Sequence, residues 1–152
     1  MKKSVFIFLL TAIMLSSLPG QSSKDRMPVT TNSKQALILF DEAMKYFERV
    51  DMAKAYELLV KALDEDPDFF MANYQLAMYH SWSGDPEQFR KAAASAINCT
   101  AKISKAEELL RSAITLLRNN INADVTEYGK KLVDMYPRDE NSYNNLVYFQ
   151  SF

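Results

Sequence analysis

Histidine and cysteine occur once each in the 152 residues, and glycine three times. One histidine cannot supply a multi-histidine metal centre. One cysteine excludes an internal disulfide framework and a cysteine-rich zinc site. Glycine falls well below its usual share of about 7%, and phosphate-cradling loops and tight hairpins both need it. Excess positive charge is missing too. The 18 basic and 19 acidic side chains leave a net charge of −1, which argues against nucleic acid as a partner held by bulk charge. No nucleophile elbow, P-loop or dinucleotide fingerprint appears. Asp64, Glu65, Asp66 and Asp68 cluster, but they lack the loop and glycine of an EF-hand, and Pro67 makes them a helix-ending turn. The expectation is a non-enzymatic chain with no cofactor and no metal site.

A run long enough to span a membrane is also lacking. The uncharged apolar stretch Val5–Leu15 has 11 residues, where a span needs about 20. Lys2 and Lys3 precede it, and Ser16, Ser17, Pro19 and Gly20 break it. That is the pattern of a secretory signal peptide over residues 1–20, cleaved near Gly20. The short lysine-led start points to a bacterial, secreted or periplasmic protein with no stable membrane span after cleavage. Cleavage removes two lysines and no acid, so the charge moves from −1 to −3. Cys99, beside Ala96 and Ile97, reads as a small core residue. Residues 21–33 are polar, contain Pro28 and lack periodicity, so they read as a flexible leader.

What the chain does have is helical periodicity. Lys34 onward carries Leu39, Ala43 and Tyr46 on one stripe and Phe40, Met44 and Phe47 on the next. A second helix follows with Ala55, Leu59, Ala62 and Leu63, and Pro67 stops it. The third carries Leu76, Ala77 and His80 beside Tyr74, Met78 and Trp82. Asp85, Pro86 and Gln88 form the start signal of a fourth. Asn32 or Ser33 is placed to cap the first helix, and Asn122 to cap the sixth.

The cycle repeats. Ala43 and Ala77 lie 34 residues apart, Ala77 and Ala113 lie 36 apart, Ala62 and Ala96 lie 34 apart, and Pro67 and Pro137 lie 70 apart. With Ala55, Leu59, Ala62 and Pro67 in "AKAYELLVKALDEDPDF", and with Leu76-Ala77 and Gly84-Asp85 in the next cycle, the chain resembles the tetratricopeptide repeat family. The resemblance covers about residues 34–152 and is strongest in the first two cycles. It divides the chain into 34–67, 68–101 and 104–137, with a partial unit at 138–152. It departs at Glu42, where the family has a large apolar residue, at Val50, which stands for the turn glycine, and at "NCTAKIS", which replaces a proline.

The resemblance implies an all-α, right-handed α-solenoid of about three helix hairpins plus a C-terminal helix. In that family the first helices line a concave groove that binds a peptide or partner helix. The corresponding positions here are Phe40, Met44, Phe47, Tyr74, Met78, Trp82, Leu110, Ile114 and Leu117. These stripes either form an exposed groove or are core, covered in part by residues 21–33 folding back. The carboxylate clamp of the family is rejected, because Arg111 alone cannot form it. The expected function is a scaffold for a protein or peptide partner. The alternatives are a docking segment or N-terminal part of a larger envelope enzyme, and a self-assembling protein. The aromatic terminus Tyr143, Leu146, Val147, Tyr148, Phe149 and Phe152 leaves three roles open: capping the third cycle, pairing with another chain as a homo-oligomer, or continuing into a further domain.

Overall fold

The computed structural model describes residues 26–151, so the readings of residues 1–25 and of Phe152 lie outside the described residues. The described residues are all-α, with seven helices and no strand. They are α1 (Lys34–Glu48), α2 (Met52–Glu65), α3 (Phe70–Trp82), α4 (Pro86–Asn98), α5 (Lys105–Asn119), α6 (Thr126–Met135) and α7 (Glu140–Phe149).

Local chemistry sets the boundaries. Ser33 Oγ accepts from the Ala36 N–H at 3.1 Å and starts α1, as the sequence predicts. Asp85 accepts from the Gln88 N–H at 3.0 Å, with Pro86 at the first turn of α4. Ser104 and Glu107 close a reciprocal capping box on α5. Asn122 does not cap α6. Val125 stands at that position, and Asp124 Oδ1 accepts from the Thr126 N–H at 3.0 Å instead. The helices α2 and α6 stop just short of Pro67 and Pro137.

The α1–α2 and α3–α4 hairpins turn through the same geometry. Asp51 N–H donates to Tyr46 O while Val50 N–H donates to Phe47 O, and Asp85 N–H donates to His80 O while Gly84 N–H donates to Ser81 O. Both pairs are Schellman motifs, which put one residue in the left-handed region. Gly84 takes φ 72° freely, whereas Val50 is forced to φ 61°. Inside the hairpins Ala43, Ala55, Ala62, Ala77, Ala93 and Ala96 are fully buried. Small side chains at those crossings let the backbones approach, and Leu58, Leu59 and Phe89 fill the remaining space. Glu42 is exposed, which explains how a charge is tolerated there.

The third cycle departs from the expected plan. The helix α5 packs against α4 and α3, and α6 packs most closely on α7 rather than on α5. Glycine makes that pairing possible: a Cβ at Gly129 would lie 2.7 Å from Leu146 Cα. The two helices of 104–137 still touch, but less closely than those of the first two hairpins, and the second of them pairs onward.

The polar residues 26–33 are not a loose leader. Met27 is buried, and its N–H donates to the Asp139 carboxylate at the start of α7. Thr30 donates from N–H and Oγ1 to the two oxygens of Glu107, at 2.9 and 2.8 Å. The Thr31 hydroxyl and the Asn32 N–H both donate to Asp66, between α2 and α3. This strap crosses the starts of α7, α5 and α3 before entering α1. Three backbone N–H groups and two hydroxyls of the strap thus find carboxylates, so the segment holds its course without regular structure.

Candidate functional site

The last helix determines which apolar side chains stay open. Tyr74, fully buried on α3, donates its hydroxyl to Asn145 Oδ1 on α7 at 2.5 Å. Asn145 in turn donates through Nδ2 to Asn141 O at 2.8 Å. One helix end away, Trp82 meets Tyr148 edge to face at 5.6 Å between centroids. Burial raises the Tyr74 phenol well above its ordinary pKa, and burial pushes Tyr148 up to about 12. Both hydroxyls therefore stay neutral in the seam between α3 and α7.

Beside this seam lies a cavity of about 500 Å³, open to solvent between α1, α3 and α7. Met44, Phe47 and Met52 form one side, Met78 and Trp82 the floor and far edge, and Val147 and Tyr148 the other side. Side-chain amides of Gln75, Asn141 and Asn144 stand among them, and Glu48 and Glu140 mark the rims. Trp82 is 61% exposed and Val147 is 66% exposed, whereas Met44 and Phe47 are half-buried. Apolar walls with a few amide groups suit a ligand that buries hydrocarbon and still presents peptide donors and acceptors.

Of the nine positions expected to line a groove, Met44, Phe47, Met78 and Trp82 do so. The other five require correction. Phe40 packs on Phe69 at 5.1 Å between ring centroids, and Tyr74 is engaged by Asn145. Leu110 and Ile114 are fully buried, and Leu117, 1% exposed, borders a separate cavity of about 240 Å³ with His80 and Phe89. The physical reason is α7. It meets α3 through the Tyr74–Asn145 bond and the Trp82–Tyr148 contact, and α5 turns its apolar stripe into the core it shares with α3 and α4. The concave surface of the third cycle is thus consumed by the chain itself.

The cavity residues absent from the expected set include those of α7, with Gln75, Glu48 and Met52. Asn141, Asn144 and Tyr148 follow helical spacing, a signal that was there to find as an amide-bearing stripe. The cavity also needed the α3–α7 seating, which no local pattern encodes.

Among the described residues no three histidine, cysteine or acidic side chains converge as a metal site. The acidic cluster serves the turns: Asp66 holds the strap, and Asp68 accepts from the Thr100 N–H and hydroxyl, the latter at 2.7 Å. Those bonds hold the Asp68 carboxyl below its usual pKa. Cys99 is buried, and its thiol donates to Asp68 O. Among the described residues no helix is long and apolar enough to cross a membrane.

No protein-family model and no curated protein matches the chain. Among solved structures, the first tetratricopeptide domain of Spaghetti (RPAP3) bound to an HSP90 peptide, SRMEEVD, aligns with 15% identity over 82% of this chain and 97% of that one, at a TM-score of 0.48.

Proposed function

We propose that the protein is a non-catalytic interaction module that holds an apolar peptide segment in the groove between α1, α3 and α7. The observation that carries this reading is Trp82, 61% exposed at the edge of a cavity shared with Met44, Phe47 and Met78. A large aromatic left open among methionines is costly to solvate and gains by being covered, and methionine adapts to differing partner shapes. The amides of Gln75 and Asn144 are placed to meet backbone groups of whatever lies there.

We propose further that the protein is a secreted or periplasmic bacterial chain. Lys2, Lys3 and the apolar run Val5–Leu15 ending in Ser16–Gly20 support export and cleavage.

The test is a random peptide library screened against the chain from Gln21, which retains every contact described above. Peptides rich in Leu, Met and aromatic residues should be enriched. Trp82→Ala and Met44→Glu should abolish their capture while melting temperature changes little. Enrichment that survives both substitutions would place recognition elsewhere.

A further inference from the structure

The described chain begins at the mouth of the groove. The Met27 N–H is held by Asp139, and the next residues along, Glu140 and Asn141, line the groove. On the opposite wall, Asp41 lies one helical turn before Met44. Burial raises its carboxyl, while Lys45 and Arg26 pull it back down, so Arg26 stands within electrostatic reach of α1. The backbone is thus held beside the start of α7 by the Met27–Asp139 bond, with the Arg26 charge acting on α1.

Twenty-five residues precede that point, and they hold Val5–Leu15, an uncharged apolar run. We infer that in the uncleaved chain the occupant of the groove is this run of the same molecule, and that cleavage near Gly20 frees the groove for a partner. The inference rests on the reading of the groove as a binding surface. Ten residues separate Leu15 from Arg26, and at about 3.3–3.6 Å each they span up to roughly 35 Å. The stretch from Gln75 to Trp82 is only about 10 Å long at 1.5 Å per helical residue. Every part of the groove lies within reach.

The chemistry agrees at both ends. Phe, Ile, Leu and Met side chains of the run match Met44, Phe47, Met78 and Trp82. Lys2 and Lys3 flank the run on the side away from the linker, and Glu48 and Glu140 among the groove residues offer opposite charge. Tethering supplies an effective concentration on the order of millimolar, so even weak intrinsic affinity fills the site in cis.

The chain holds a single tryptophan, Trp82, at the groove edge, so its fluorescence reports this site alone. The full chain in detergent-free buffer is compared with a full chain carrying Phe6→Asp, Leu9→Asp and Ile13→Asp. Trp82 of the unsubstituted chain should emit to the blue of the substituted one and resist iodide quenching. Met44→Glu in the otherwise unsubstituted chain should restore quenching, and Phe47→Glu serves if that variant folds poorly. A synthetic peptide of residues 4–18 with a C-terminal lysine tail should shift the substituted chain saturably. Equal quenching in both full chains overturns the inference. Shielding that appears only as protein concentration rises also overturns it, because the occupant is then a second copy. If library peptides bind the groove while the 4–18 peptide does not, this inference fails and the binding role stands.

Discussion

The Tyr74 hydroxyl donates to Asn145 Oδ1 at 2.5 Å across 71 residues of sequence, inside the seam that seats α7 on α3. This bond decides the shape of the groove, because α7 supplies one of its walls. A polar pair buried in an apolar seam also fixes register, since any slip leaves both groups unpaired.

Tyr74→Phe removes the donor and strands the Asn145 carbonyl. The expected loss is about 1–3 kcal/mol, the desolvation cost of a buried unpaired group. Urea unfolding measures it. The double substitution with Asn145→Leu should recover part of the loss, because neither partner is then left polar.

Alkaline pH should act through the same seam. Tyr74 and Tyr148 have folded pKa values above the ordinary phenol value, by burial in both cases. In the unfolded chain they lose protons near pH 10, so above that pH the unfolded state binds fewer protons and gains. Their contribution is complete below about pH 10 and falls as pH climbs toward the folded values, about 12 for Tyr148. Unfolding midpoints between pH 8 and about 10 should be flat, then drop as pH rises further. Tyr74→Phe should drop less steeply.

The two Schellman turns form an internal control. Val50 sits at φ 61° and is 74% exposed, so its side chain contributes little packing. Val50→Gly should stabilise the protein by about 1 kcal/mol by relieving a left-handed β-branched residue. Gly84→Val should lose a similar amount; the space around its Cβ is open within 4 Å, leaving backbone strain as the cause. Thermal melts of the pair check both signs.

The repeat pattern, the small-residue crossings and the first four helices were legible in the sequence, because each depends on residues within one hairpin. Ser33, Asp85, Pro67 and Pro137 mark ends by local chemistry alone. The strap was not legible. Met27–Asn32 has no periodicity, and its order comes from the carboxylates of Asp139, Glu107 and Asp66, far away in sequence. Phe40, Tyr74, Leu110, Ile114 and Leu117 carry the same helical spacing as Met44 and Trp82. Spacing identifies an apolar face but not what covers it, and here α7 and α5 cover most of it.

The strap should contribute measurable stability. Glu107 is fully buried and accepts from the Thr30 N–H, the Thr30 hydroxyl and the Ser104 N–H. Glu107→Ala should cost about 3 kcal/mol by leaving these donors unsatisfied. It should also expose Arg26 to trypsin faster than the parent chain. Glu107→Gln should lose less, because one amide oxygen still accepts.

Close approach at Gly129 gives a further test. A side chain there meets the Leu146 backbone, so Gly129→Ala should cost about 1–3 kcal/mol through overpacking. It should loosen α7 first, with hydrogen exchange rising at Asn145–Phe149 before the α1–α2 hairpin changes.

The central claim is that recognition occurs between α1, α3 and α7. Amide and indole chemical shifts of the ¹⁵N-labelled chain from Gln21, titrated with the library-enriched peptide, test it most directly. The account predicts saturable shifts at the Trp82 indole, the side-chain amides of Gln75 and Asn144, and the backbone of Met44 and Phe47. Shifts confined to α2 and α4, with the Trp82 indole unmoved, would contradict it.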